Sequence, residues 1–178
     1  MKRINLFLCA IALGTMLFAG CGKDEETYKT SYDFSVDLGQ KVMDNCSVVA
    51  YYVAPGKTVQ SEQVSSSAYS RSFSGTASDS AGILLICTPN EHFNAPFDTE
   101  VTLSHDVKVT KDGSVVSTLP TSETFQVTVS SQDSIFAVMM TVKTTADGKI
   151  EQCPNIDFGT NISIRIIKPQ GPIKPIPA

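Results

Sequence analysis

Apolar residues recur at every second position over much of this chain. Tyr32, Phe34, Val36 and Leu38 share one side of an extended segment. Val101, Leu103, Val107 and Val109 repeat the pattern with His105 as a polar slot, and Phe125, Val127 and Val129 repeat it again. Successive side chains of a strand point to opposite faces, so each run predicts a half-buried β-strand. Residues 46–53, 83–87 and 135–142 are more continuously apolar, which predicts strands in the middle of a sandwich, covered on much of both faces. Residues 161–167 close the set with Ile162, Ile164 and Ile166. No window carries a convincing amphipathic helix; only residues 58–64 are conceded to a short one.

Turn chemistry agrees with this reading. Lys111-Asp112-Gly113 and Ala146-Asp147-Gly148 sit between strand-like runs, and Asp-Gly supplies the positive φ that tight hairpin turns demand. Two hairpins are predicted, at about 101–119 and 135–152. Further breaks are expected at Pro55-Gly56, residues 78–82, residues 89–96 and Leu119-Pro120. The Ser and Thr richness of residues 65–80 and 121–134 fits exposed faces of antiparallel sheets. Eight to ten short strands at this spacing predict an all-β fold, an antiparallel two-sheet sandwich of immunoglobulin-like or related topology, at residues 31–168 after an N-terminal signal segment. The Cys and Trp pair of true immunoglobulin domains is missing. In residues 169–178, four prolines oppose ladder hydrogen bonds and predict a tail.

Composition narrows the classes. The 178 residues are 42% hydrophobic and 18% charged, which excludes collagen-like and wholly disordered chains and allows one core without metal or disulfide. Scattered Lys and Arg and a formal charge of -4 argue against nucleic acid as partner, since phosphate binding needs clustered cations.

The N-terminus says how the chain is held. Lys2 and Arg3 form a positive region, residues 4–18 form an apolar stretch too short to span a bilayer, and Leu17-Phe18-Ala19-Gly20-Cys21 ends it. This segment resembles the signal peptide and lipobox of bacterial lipoproteins, with Phe18 where the family usually carries Leu. The resemblance implies removal of residues 1–20 and lipidation of Cys21 with three acyl chains, palmitate-type hydrocarbon that makes a lasting membrane anchor. Gly22-Lys23-Asp24-Glu25-Glu26 is similar to the export signal of Bacteroidota lipoproteins displayed on the cell surface, and residues 21–30 are expected to form an acidic tether. Localisation at the outer membrane follows, on the cell surface, with the periplasmic face as the alternative. Loss of Lys2 and Arg3 leaves 12 cations against 18 carboxylates, a side-chain charge of -6.

Little in the chain promises catalysis. It has two histidines, His92 and His105, and no spacing typical of zinc or calcium sites, so no metal and no cofactor are expected. Ser104-His105-Asp106 has the letters of a catalytic triad, but neighbours on a strand face opposite ways and cannot form a relay. Glu91, Asp98 and Glu100 flank one loop and leave a glycosidase-like carboxylate pair as the least favoured reading. Once Cys9 and Cys21 are set aside, Cys46, Cys87 and Cys153 remain; one disulfide plus a free thiol and three buried thiols are both open, with no obligate disulfide preferred.

Binding is the better prospect. The loop Glu91-His92-Phe93-Asn94-Ala95-Pro96-Phe97-Asp98 mixes two aromatics, an imidazole and polar groups, making His92, Phe93, Asn94 and Phe97 the candidate ligand residues. Of the adjacent Tyr51 and Tyr52, one is expected to face outward. Asp79-Ser80-Ala81 and Asp133-Ser134-Ile135 look like the acceptor site for protein O-glycosylation in Bacteroidota, which marks Ser80 and Ser134. The sequence thus predicts a non-enzymatic, lipid-anchored binding or accessory module, for glycans or an outer-membrane protein partner. It resembles the small accessory lipoproteins of starch-utilisation-type uptake systems only in residues 1–26 and in general β character. An adhesin or pilus-like subunit that exchanges strands is the structural alternative.

Overall fold

The period-two runs become strands because burying one face of each removes its apolar side chains from water, at roughly 1.5–3 kcal/mol for each large residue. The computed structural model describes residues 28–152, 156–159 and 165–167. The strands are β1 (Lys29–Asp37), β2 (Cys46–Val53), β3 (Gln60–Val64), β4 (Ala68–Thr76), β5 (Ser80–Pro89), β6 (Phe97–Lys111), β7 (Ser114–Val129), β8 (Phe136–Thr144), β9 (Ile150–Gln152) and β10 (Arg165–Ile167), with one helix, α1 (Gln40–Asn45). They form two packed sheets. One has the order β4-β1-β6-β7 and the other β10-β8-β5-β2-β3, with β9 also on β8. Every pairing is antiparallel except β10 on β8, which is parallel. The expected two-sheet sandwich is therefore the fold.

The core lies between the sheets. Tyr32, Phe34 and Val36 from β1, with Leu38 just beyond it, meet Val48, Ile83, Leu85, Val138 and Met140 from the facing sheet, all essentially without solvent contact. β5 is buried on both faces, as its continuous apolar run predicts. Its outward Leu84 and Ile86 join Ala137 and Phe158 in a second, smaller cluster, against which Tyr51, Val53, Met139 and Ile156 pack. Tyr52 instead turns into the main core, where it stacks on Phe73 at 6.1 Å between centroids. Both tyrosines are half-buried, so the outward one is covered by packing rather than displayed.

Several local expectations change. Residues 58–64 are not helical: Gln60–Val64 is β3, and the short helix falls at Gln40–Asn45. Gly39 makes that helix possible. It takes φ 74° as the chain leaves β1, and a Cβ there would meet Thr99 Oγ1 at 2.7 Å. Leu119-Pro120 does not break the chain either, since β7 runs through it paired to β6. β7 is an edge strand, where the missing N–H of Pro120 costs no ladder bond if it points away from the sheet. Both predicted hairpins exist, the first extended to residues 97–129 and the second closed by the turn at 145–149. β1 begins at Lys29, slightly ahead of the expected start of the domain. Of the last predicted strand only Arg165–Ile167 is described; residues 1–27, Cys153 and the proline-rich tail lie outside the described residues.

Polar groups join the sheets at both open sides. On one side, Arg71 of β4 pairs with Glu62 of β3, donates from Nε to the Tyr69 hydroxyl at 3.1 Å, and lies 4.8 Å from the Tyr52 ring centroid. On the other, His105 of β6 meets Gln152 of β9. Between them, the hydroxyls of Tyr32 and Thr144 lie 3.0 Å apart, buried, and both reach the Asp79 carbonyl. Among the described residues no buried side-chain nitrogen or oxygen lacks a partner.

The strand register gives the sandwich two distinct ends. Tyr28, the start of β1 and the turns at 54–59, 77–79, 112–113 and 145–149 share the basal end. α1 and the connections at 65–67, 90–96 and 130–135 share the opposite, distal end.

Candidate functional site

The distal end carries the candidate site, and the outward faces of β6 and β7 build most of it. Odd-numbered residues at the start of β6 point into the core, so Asp98, Glu100 and Thr102 point outward beside Thr128, Gln126 and Thr124 of β7. Cross-strand bonds fix them as rungs. Thr128 Oγ1 donates to Asp98 Oδ1 at 2.6 Å, Gln126 Nε2 donates to Glu100 Oε1 at 2.6 Å, and the Thr102 and Thr124 hydroxyls lie 2.9 Å apart. Each carboxylate so placed keeps a second oxygen as an acceptor.

α1 supplies the wall. The Gly39 N–H donates to Asp37 Oδ1 at 3.0 Å, which shapes the turn out of β1, and Lys41 Nζ reaches the Asp98 carbonyl at 3.2 Å. Thr99, turned inward, donates to the Leu38 carbonyl at 3.2 Å and ties the turn to β6. Between α1 and the β6–β7 rungs lies an open cleft of about 460 Å³ lined by Asp37, Gln40, Lys41, Glu100 and Gln126 among others. Three carboxylates, an ammonium group and amides in one cleft offer both acceptors and donors, which is the pairing a polyhydroxylated ligand requires.

The candidate loop adjoins this cleft, but its aromatics do not line it. Phe93 and Phe97, with ring centroids 6.2 Å apart, pack partly buried against the core. His92 and Asn94 remain exposed, and the His92 side chain is 72% accessible with Nε2 3.9 Å from Glu91 Oε1. The His92 N–H donates to Asn90 Oδ1, so Asn90 shapes the loop. The structure thus brings Asp98 and Glu100, flagged by sequence, together with Asp37, Lys41 and Gln126, which sequence reasoning missed. Those three come from separate strands and the helix, and only the register joins them.

The remaining sequence candidates are placed as follows. Ser104 and Asp106 face outward while His105 is buried at 4% exposure, so the three point to opposite faces and form no relay. His105 Nδ1 donates to the Leu119 carbonyl at 3.2 Å; Nε2 then accepts from Gln152 Nε2 at 2.8 Å. Burial pushes the imidazole pKa down, against smaller opposing effects of the Leu119 hydrogen bond and the nearby Asp106 and Glu123 charges. Ser134 lies in the 131–134 turn, where its oxygen accepts the N–H groups of Ser130 and Ser131 at 3.2 and 3.0 Å. Ser80 is the half-buried first residue of β5. Cys46 and Cys87 are buried free thiols, and Cys21 lies outside the described residues.

A second cleft, about 370 Å³, opens beside Arg71 and Tyr69 at the β3–β4 connection. Its charged groups already hold the two sheets together. Among the described residues no group of three or more His, Cys, Asp or Glu side chains is placed to hold a metal ion, and no helix is long and apolar enough to cross a membrane. Compared with protein-family models, curated proteins and solved structures, the chain matches none.

Proposed function

We propose that this protein is a lipid-anchored outer-membrane lipoprotein whose β-sandwich is a non-enzymatic binding or accessory module for a hydroxyl-rich ligand, a glycan being the best fit. The distal cleft carries this reading: carboxylates of β6 fixed by cross-strand bonds to β7 line one open cleft with the Lys41 ammonium and the Gln40 and Gln126 amides. Hydrogen bonds would hold a sugar there without ring stacking, since Phe93 and Phe97 pack inward. The anchor part rests on the Cys21 lipobox and the acidic residues after it.

A glycan-array screen of the full chain in detergent tests the binding role. The expected result is retention of a subset of glycans, lost at least tenfold in the Glu100→Gln and Asp98→Asn variants with unchanged urea midpoints. Uniformly absent binding, or binding indifferent to both variants, contradicts it.

A second reading has its own support. β7 is an edge strand of 16 residues, a length suited to pairing with a strand from another copy or a partner, as an adhesin or pilus-like subunit would do. Pro120 removes one N–H near its middle, which weakens that edge as a continuous template. Concentration-dependent oligomers in sedimentation would favour this reading over the first.

A further inference from the structure

The basal end of the sandwich differs from the rest of the surface in three respects. First, it carries exposed aliphatic side chains. Four large hydrophobic residues are exposed among the described ones: Val59 at 36%, Val115 at 58%, Val116 at 50% and Ile166 at 48%. The first three lie at the basal end, Val59 beside the start of β3 and Val115 and Val116 just past the β6–β7 turn. Exposed Val is unremarkable singly, but adjacent Val115 and Val116 point to opposite faces of a hairpin tip and are both accessible.

Second, charge is divided between the ends. The basal end holds Lys29, Lys57, Lys111 and Lys149 against Asp79, Asp112 and Asp147. Among the described side chains the distal end holds Asp37, Asp44, Glu91, Asp98, Glu100 and Asp133, with Lys41 as a cation beside them. The acidic Asp24-Glu25-Glu26 stretch joins the basal end and offsets its small excess of lysine, so charge disfavours the distal end at an anionic surface without by itself drawing the basal end to it.

Third, covalent reach restricts orientation. Six residues lie between Cys21 and Tyr28, and the seven steps from one to the other span at most about 25 Å when fully extended. The nine residues of β1 alone extend the domain by roughly 30 Å from its basal to its distal end. A bilayer holding Cys21 by acyl chains cannot then be reached by the distal end, because Tyr28 would have to stand farther from the membrane than its tether allows. Upright and side-lying orientations remain, and the flanks differ. The outer face of the β4-β1-β6-β7 sheet presents Asp33, Asp37, Asp98, Glu100 and Asp106 against Lys29 and Lys108, the latter paired to Asp106, so it stays net acidic, which an anionic membrane surface does not favour. Much of the apolar outer face of the other sheet is covered by Ile156 and Phe158.

We infer that the basal rim, with Val59, Val115, Val116 and its lysines, is a membrane-contact surface that seats the sandwich upright on the bilayer holding its own anchor, so that the acidic cleft faces away from the membrane. This rests on lipidation of Cys21. The partner is a lipid surface, and the contact is a shallow one, made by side chains at hairpin tips rather than by a spanning element.

The chain contains no Trp, so single Trp substitutions report position without background. The full lipidated protein is reconstituted in phosphatidylethanolamine–phosphatidylglycerol vesicles, and quenching by lipids brominated near the headgroup is read for Val116→Trp, Ser66→Trp at the distal end and Ser47→Trp on the outer face of β2. The expected result is quenching of Val116→Trp at least threefold above the other two, reduced at least twofold when Val59 and Val115 are also replaced by Asp. Strongest quenching of Ser47→Trp means the sandwich lies on its side, and equal quenching at all three means it has no fixed seat; either overturns the inference. Intact mass and vesicle flotation separate the two claims. An unmodified Cys21 that fails to float removes the anchor reading and this inference with it, whereas an acylated, floating protein without selective quenching at residue 116 removes the inference alone.

Discussion

His105 Nε2 lies 2.8 Å from Gln152 Nε2, so a buried imidazole of one sheet accepts a hydrogen bond from an amide on the edge of the other. Because Nδ1 donates to Leu119, the ring is held as the neutral tautomer with both nitrogens used. Gln152 also donates to the Thr121 hydroxyl at 3.3 Å, which places the amide between the two β-strands it joins. A proton on Nε2 would set donor against donor. The inward polar slot in β6 is thus a fastener between sheets that works only uncharged.

This gives stability a pH dependence of known sign. The folded imidazole titrates below its ordinary value, while the unfolded one takes a proton near about 6.5. Above that value neither state is charged and the contribution is constant. As pH falls below it, the unfolded chain binds a proton that the folded chain refuses, and stability drops by up to about 1.4 kcal/mol per pH unit until the folded ring also titrates. Urea unfolding followed from pH 8 to pH 5 in the wild type and in His105→Gln measures this directly: the wild type should lose stability over the variant on acidification. Parallel curves would show that His105 does not titrate differently in the two states.

The opposite side of the sandwich depends on Arg71. Its guanidinium binds Glu62, the Tyr69 hydroxyl and the Tyr52 ring, and burial raises the Tyr69 hydroxyl to about 12, so that tyrosine stays neutral. Both charged side chains are about one-third exposed, which screens the pair. Arg71→Ala should cost about 1–2 kcal/mol through lost packing and lost bonds, and Glu62→Ala about 1 kcal/mol or less. A double-mutant cycle should return a coupling of about 0.5–1 kcal/mol. A coupling of zero would mean that packing of the arginine stem alone closes this edge.

Cys46 and Cys87 should remain thiols even in an oxidising compartment. Cys46 opposes Pro89 and Cys87 opposes Val48, so the two are diagonal rather than direct partners. Diagonal positions are roughly 7–8 Å apart, beyond disulfide geometry without backbone movement. Burial pushes the Cys46 thiol up to about 11 and the Cys87 thiol higher, so neither offers thiolate at neutral pH. Iodoacetamide should modify both residues only after unfolding, with or without prior reductant. A peptide pair joined through Cys46 and Cys87 in a non-reducing digest would refute this.

How much of this was legible in the residues divides along a physical line. Local alternation sufficed for β1 and the core halves of β6 and β7, and a continuous apolar run for the doubly covered β5, because neither pattern needs knowledge of partners. It failed where a residue's role is set by its neighbours in space. β3 and β4 are polar edge strands, the second rich in Ser, whose few inward residues, Glu62, Val64, Tyr69, Arg71 and Phe73, include charges, so they carry little hydrophobic signal. The helix at Gln40–Asn45 depends on Gly39 turning at positive φ against Thr99, a contact no window contains. Pro120 suggested a break because sequence does not reveal which strand is an edge. In the distal cleft, Asp98 and Glu100 were visible as loop-flanking carboxylates. Asp37, Lys41 and Gln126 joined them only through strand register, while Phe93 and Phe97 turned from candidate ligand residues into core contacts.

The proposed anchor at Cys21 would decide where all of this sits. Metabolic labelling with an alkyne palmitate analogue, followed by membrane fractionation of the wild type and Cys21→Ala, tests it most directly. The account predicts label and membrane association in the wild type and loss of both in the variant. Unlabelled wild-type protein in the soluble fraction, or a Cys21→Ala chain that keeps its label and its membrane, would contradict it.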